Sequence, residues 1–254
     1  MINRLYVVAI MLLVYSNISS AFATASSVYI EELTSPEIRI KIDGGATTVI
    51  IPTGGSEQNL AHLTIGKHNY IVNYTAGEIA KKLGNTLVAP TIGYVPEGNI
   101  TPPEGHMKFA GTISLKESTY EALLEDTAQS LKQHGFKLIC FLGDSGGNQA
   151  VQARLAVKLS QKWQGDGVRV LQVANYYANN GQNDWVTTLK LQLKAPAEHA
   201  SFEDTSELMA INIGAVRTDL RTGDAKLASS EYGKKLLELK INTAVSEIRN
   251  ATKP

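Results

Sequence analysis

The chain predicts an α/β fold: a three-layer α/β/α arrangement with a mainly parallel central sheet. Three observations carry this. Short apolar runs at 47–52, 87–90, 136–142 and 168–175 lack a two-residue alternation, as strands covered on both faces do. Segments with apolar residues at helical spacing alternate with them. Several of the runs stop abruptly at glycine, acid or turn residues, and four of the five histidines lie in or beside such stretches.

In chain order, residues 1–23 read as an export signal. Arg4 supplies positive charge, residues 5–15 form an apolar stretch too short for a comfortable membrane span, and Ala21-Phe22-Ala23 offers the small residues of a cleavage site. Cleavage after Ala23 would leave residues 24–254 as one domain, periplasmic or secreted, with no stable membrane insertion; an uncleaved anchor is the alternative. Residues 28–32 and 38–42 have strand character. The run 47–52 is a buried strand ending in the turn Thr53-Gly54-Gly55. Ile71, Tyr74, Ile79 and Leu83 define a helix over 69–83, with Gly84 as its C-terminal cap. Residues 87–90 are the next strand, and 91–112 a long ordered loop of the kind that often carries function.

An amphipathic helix over 117–134 closes at Gly135, and the apolar strand 136–142 is cut off by Gly143-Asp144-Ser145-Gly146-Gly147. Helical residues 148–163 and strand 168–175 follow. Residues 226–250 form a long terminal helix with Leu236, Leu237, Leu239 and Ile241 among its apolar positions. Trp185 falls between two expected strands, as a pocket-lining or subunit-contact residue.

Composition narrows the function. Acids and bases balance at 24 each, so no global field favours nucleic acid. The one cysteine, Cys140, sits in an apolar run and reads as buried. Ligands of parallel sheets bind beyond the strands' carboxyl ends, which places Glu57 on the same rim as Asp144 and Ser145. The small residues after 142 either let backbone N–H groups approach an anion or form a tight turn capped by Asp144 or Ser145. Ser145 as a nucleophile would need a base such as His199 within reach. His134 suits the negative end of its helix.

Taken in order, Gly55-Ser56-Glu57-Gln58-Asn59-Leu60-Ala61-His62-Leu63, Gly66-Lys67-His68, Gly105-His106-Met107-Lys108-Phe109-Ala110-Gly111, Gly143-Asp144-Ser145-Gly146-Gly147-Asn148 and Glu198-His199-Ala200-Ser201-Phe202-Glu203-Asp204-Thr205-Ser206 resemble the creatininase (creatinine amidohydrolase) family. The resemblance runs from residue 48 to about 220. It implies a hydrolase of cyclic amides and related C–N bonds, two divalent metals and a homo-oligomer, a hexamer by resemblance. On that reading Glu57 keeps a family ligand, while Asn59 stands for a ligand histidine, His68 for the metal-bridging aspartate, Ser145 for another ligand histidine and Gly147 for a glutamate. Glu198 and His199 match the family's proton-transfer pair.

Chemistry then limits the metal. A bridging carboxylate offers two oxygens, whereas a neutral imidazole offers one lone pair, so His68 argues against a dinuclear centre. Glu57, His68 and Asp144, with an acid from Glu203 or Asp204, are the set expected to hold one Zn²⁺, Mn²⁺ or Fe²⁺ ion, or none. The alternative for His68 is a loop histidine capping the helix at 69–83. Asn59, His62, His106, Ser145, Gly146 and Gly147 are expected to line or support the pocket. The function expected is hydrolysis of a C–N bond in a small cyclic amide or N-acyl substrate. A degenerate family member that binds a small ligand or scaffolds a partner is the rival, and a metal-free hydrolase driven by His199 a third reading.

Overall fold

The computed structural model describes residues 27–193 and 199–252; the expected export signal and Glu198 lie outside them. Four parallel strands, β1 (Thr48–Thr53), β2 (Thr86–Val88), β3 (Leu138–Gly143) and β4 (Arg169–Gln172), form one sheet in the order β2-β1-β3-β4. Thr48 pairs with Thr86 on one side and Leu138 on the other, and Leu138 with Arg169.

Alternate strand residues face opposite layers. Val49, Ile51, Ile139 and Phe141 pack with Tyr120 and Leu124 of one helix (Glu117–His134) and with Val151, Leu155 and Leu159 of another (Gly146–Lys162). Ile50, Cys140 and Leu142 pack with Ile71, Val72 and Ile79 of a helix over Lys67–Leu83 and with Leu237, Ile241 and Val245 of the last helix, Ser230–Ala251. Both faces are therefore covered, which accounts for unbroken apolar runs in β1 and β3 and gives the three-layer α/β/α fold. Each fully buried aliphatic side chain contributes about 1.5–3 kcal/mol.

In chain order we label the helices α1 (Ser35–Asp43), α2 (Lys67–Leu83), α3 (Glu117–His134), α4 (Gly146–Lys162), α5 (Ala174–Tyr177), α6 (Gln182–Thr188), α7 (Phe202–Ile211) and α8 (Ser230–Ala251). Steps from β1 to β2 and from β2 to β3 run in opposite directions across the sheet. Right-handed crossovers then put α2 and α3 on opposite faces, as found.

Several expectations need correction. Residues 38–42 are helical: the alternation of Ile38, Ile40 and Ile42 mimics a strand, but Thr34 and Glu37 form a capping box and Ile40 is exposed. Residues 30–32 form a 3₁₀ turn after a single bridge from Tyr29 to Val88. The strand expected at 168–175 ends at Gln172 and gives way to α5. Tyr74 faces outward, and the buried stripe of α2 runs through Ile71, Val72, Ala76, Ile79 and Ala80. Trp185 sits on α6 and packs edge-on to Tyr232. Lys240, not Leu239, occupies the buried stripe of α8. Gly84 and Gly135 adopt the left-handed conformation that closes α2 and α3, as expected. Among the described residues, no helix is long and apolar enough to cross a membrane.

Candidate active site

β1 and β3 lie side by side where the strand order reverses, and open parallel sheets bind ligands in the crevice beyond such a reversal. β1 leads into the loop bearing Glu57, and β3 into Asp144 and Ser145. Asn69 of α2 accepts a hydrogen bond from Gly55 N (3.0 Å), and Asn148 of α4 donates to the Thr53 hydroxyl and Gly54 carbonyl (each 2.9 Å). Both helices thereby hold the turn that aims Glu57. A polar cavity of about 650 Å³ opens at this rim.

Its floor is a chain of alternating charges. Lys67 Nζ lies 2.7 Å from Asp204 and 3.8 Å from Glu57. His68 Nε2 lies 2.8 Å from Glu57 Oε1, and its Nδ1 2.8 Å from Asp144 Oδ2. Asp144 Oδ1 accepts from the Tyr176 hydroxyl (2.7 Å) and Lys240 Nζ (3.0 Å), and Lys240 continues to Glu207 (3.1 Å), which Gln182 also contacts. All these acids and bases except Asp204 are nearly excluded from solvent.

The partners explain the titration. Burial pushes the His68 ring toward neutrality, but the carboxylates of Asp144 and Glu57 outweigh it and raise its pKa. Burial would raise Glu57, yet the His68 bond and the Lys67 charge bring it down to about 2. Asp144 is likewise lowered against its burial by Lys240 and His68. Asp204 is lowered, against burial, mainly by Lys67. Glu97 behaves oppositely: burial and the negative charge of Glu57 push it up to about 9. Two facing carboxyl groups must share a proton, and Glu97 is the one that holds it.

Above this floor stand two half-exposed histidines. His106 Nε2 lies 3.3 Å from Glu57 Oε2, and His199 Nε2 3.7 Å from Glu57 Oε1. Their rings are 4.8 Å apart. His199 Nε2 donates to the Gln58 carbonyl (2.8 Å), and its pKa is lowered by burial and by Lys67. Ligand atoms of Glu57, His106 and His199 all lie within 4.8 Å of one another, close enough to hold a metal ion. Gly146 and Gly147 form the first turn of α4 at the cavity wall, where N–H groups have no acceptor within the helix.

The family profile described as "Creatininase: Creatinine amidohydrolase" matches residues 31–248. The chain belongs to the creatininase family. A mycofactocin precursor peptide peptidase of Mycolicibacterium smegmatis is 26% identical over 114 residues, covering 43% of this chain and 44% of that protein. A creatinine amidohydrolase of Pseudomonas putida is 25% identical over 118 residues, covering 46% and 45%. The chain thus aligns with less than half the length of these relatives. A crystal structure of a creatinine amidohydrolase superposes with a TM-score of 0.76 at 19% identity, over 91% of this chain and 100% of that one. Other creatininase structures are described as a Mn form (TM-score 0.76, 20% identity, 90% and 100% covered) and as a variant complexed with creatine (0.73, 20%, 90% and 100%).

Against the creatininase pattern, the expected residues fall into two groups. Glu57, His68, Asp144, His106, His199, Ser145, Gly146 and Gly147 converge on the cavity. Asn59 and His62 do not line it: Asn59 Nδ2 donates to the Glu57 and Thr64 carbonyls, and His62 is buried against Thr205. The set Glu57, His68 and Asp144 is not open for a metal. With a carboxylate 2.8 Å from each ring nitrogen, His68 carries both protons and has no lone pair to give. Position 147 has no room for a ligand, because a Cβ there would stand 2.1 Å from the Pro96 carbonyl oxygen. The family's two-metal centre therefore does not fit these residues.

The sequence reading missed Lys67, Glu97, Glu207 and Lys240. Only Glu97 left a signal, as an acid between proline and glycine in the long loop at 91–112. Glu207 lies on α7, an element the sequence reading did not assign.

Proposed function

We propose that this protein hydrolyses a C–N bond of a small polar amide, cyclic or N-acylated, in the cavity at the carboxyl rim. One observation carries the reading: a neutral base, His199, and a protonated acid, Glu97, flank the same carboxylate, Glu57, beside the free first turn of α4. A substrate carbonyl oxygen would rest on the Gly146 and Gly147 N–H groups. His199 accepts a proton from the attacking water as the C–O bond forms. Glu97 gives its proton to the departing nitrogen as the C–N bond breaks. Lys67 and His68 keep Glu57 anionic and in place.

Family membership and the named activities of similar proteins support the reaction class. The test is turnover of a panel of cyclic amides and N-acyl amino compounds by the untagged chain. Activity lost in His199→Ala with folding retained supports it; no turnover anywhere on the panel counts against it.

A second reading, a non-catalytic ligand-binding member, is favoured by the replacement of the family's metal positions at 59, 68, 145 and 147. It predicts thermal stabilisation by a panel compound that is never consumed.

We propose export on the pattern of residues 1–23, checked by sequencing the N-terminus of the periplasmic or secreted protein, which should begin at Thr24. Homo-oligomerisation is proposed from the family resemblance and from the exposed Leu60, Phe109 and Ile113 on loops beside the cavity, and light scattering measures it.

A further inference from the structure

The structure closes the family's metal positions and opens another. Asn59 spends its amide N–H groups on the Glu57 and Thr64 carbonyls, His68 has no free lone pair, and Gly147 is walled off by Pro96. Glu57 keeps access to the cavity on the side of His106 and His199.

We propose that Glu57, His106 and His199 bind one divalent cation of the Zn²⁺ class, at a position shifted from the family's centre toward the cavity mouth. Two nitrogens and one carboxylate oxygen make a donor set that suits Zn²⁺ and leaves a coordination position open. Tetrahedral ligands at zinc distances stand roughly 3.3–3.6 Å apart. One ligand atom from each of Glu57, His106 and His199 lies within 4.8 Å of the other two, so modest side-chain movements reach that spacing. The ligands come from three places: the loop after β1, the 3₁₀ turn Gly105–Lys108 and the segment preceding α7.

The Gln58 side-chain nitrogen, 3.4 Å from His106 Nδ1, donates to that nitrogen and so holds the ring's own proton on Nε2.

This contact and two other features oppose binding and set its strength. The cation must displace the bond from His199 Nε2 to the Gln58 carbonyl, and Lys67 Nζ stands 3.8 Å from Glu57. Affinity is therefore expected to fall below that of closed four-ligand zinc sites.

The inference goes beyond the hydrolase reading and is tested apart from it: an ion on His199 Nε2 leaves that ring no free lone pair, so bound Zn²⁺ should inhibit the proposed reaction. Untagged chain is stripped with a chelator, dialysed, and titrated with ZnCl₂ by calorimetry and with CoCl₂ by visible absorption. One ion per chain is expected, with Co²⁺ bands of a low-coordinate N/O site. His106→Ala and His199→Ala should each weaken binding by about tenfold or more, given that loss of even an outer partner costs about 10–100-fold. His134→Ala, on the exposed end of α3, should leave it unchanged. Circular dichroism and melting of the metal-free variants separate lost ligands from lost folding. No saturable binding, two ions per chain, or unchanged affinity in both variants would overturn the proposal. A metal-free chain that turns over no amide would instead sink the hydrolase reading alone.

Discussion

His68 Nδ1 lies 2.8 Å from Asp144 Oδ2, and the ring's other nitrogen makes an equal contact with Glu57. An imidazolium thus occupies the position where the family resemblance expects a metal-bridging aspartate. Its positive charge holds together two carboxylates that would otherwise repel each other in a buried place.

The first prediction concerns that ring. Its folded pKa is raised above the unfolded value of about 6.5, so its stabilisation is complete below that pH. The stabilisation is lost as pH rises through the folded value. NMR titration of the ring nitrogens should show His68 keeping both protons above the unfolded midpoint of about 6.5. Denaturant melts of His68→Gln should lack the wild type's loss of stability on the alkaline side.

The acid limb has the opposite sign. Asp204 is held below its ordinary value of about 3.9 by Lys67, so its contribution is present above that pH and fades as pH falls through the folded value. Urea melts between about pH 6 and about pH 2 should show Asp204→Asn already weakened at neutral pH and with a shallower acid decline. Identical acid slopes for the two proteins would remove Asp204 from the account.

Lys240 offers a sharper test. Its ammonium is the partner of both Asp144 and Glu207, and all three side chains are buried. Lys240→Met should cost about 3–5 kcal/mol, because it strands charge in the core. Adding Glu207→Gln should return part of that loss, since one stranded acid is then neutral. A double mutant no more stable than the single one would mean that the cost is packing alone.

These relations show where the sequence was legible and where it was not. β1, β3, α3 and the caps at Gly84 and Gly135 follow from local patterns, and the shared rim of Glu57 and Asp144 follows from the rule for parallel sheets. Lys240 was invisible because it lies in an apolar stripe, and only the fold brings it to Asp144, 96 residues away. Lys67 reaches Asp204 across 137 residues for the same reason. Period alone misread α1, because three isoleucines two apart imitate a strand while Thr34 and Glu37 start a helix. Long-range ion pairs leave no periodic trace, so the site's electrostatics had to come from coordinates.

Gly147→Ala probes the cavity wall. The added methyl would meet the Pro96 carbonyl oxygen at 2.1 Å, so the loop carrying Glu97 must move or the helix start must shift. Overpacking of this kind costs about 1–3 kcal/mol. If the displaced loop carries Glu97 with it, ligand binding should weaken alongside stability, measured by thermal melting and by KM on whichever amide proves to be a substrate. Ser145→Ala removes no backbone donor but takes away the buried hydroxyl's hydrogen bond to the Glu97 carboxyl, and should cost about 0.5–1.5 kcal/mol.

The last prediction separates Glu97's two roles. As a protonated carboxyl, it gives Glu57 a hydrogen that no ionised neighbour could supply. Glutamine at 97 preserves that donor through its amide N–H groups and keeps nearly the same shape. Glu97→Gln should therefore fold with a melting temperature close to wild type. Glu97→Asp should melt lower, because the shortened side chain retracts from Glu57 and leaves space behind it. In catalysis the order reverses. An amide cannot release a proton to the departing nitrogen, so Glu97→Gln should lose about 10²–10⁴ in kcat with KM little changed. Glu97→Asp should retain a measurable fraction. The alkaline fall of the pH–kcat profile near the Glu97 pKa of about 9 should vanish in Glu97→Gln. Full kcat in a well-folded Glu97→Gln protein would move proton donation to another group and leave Glu97 as a neighbour that only holds Glu57 in place.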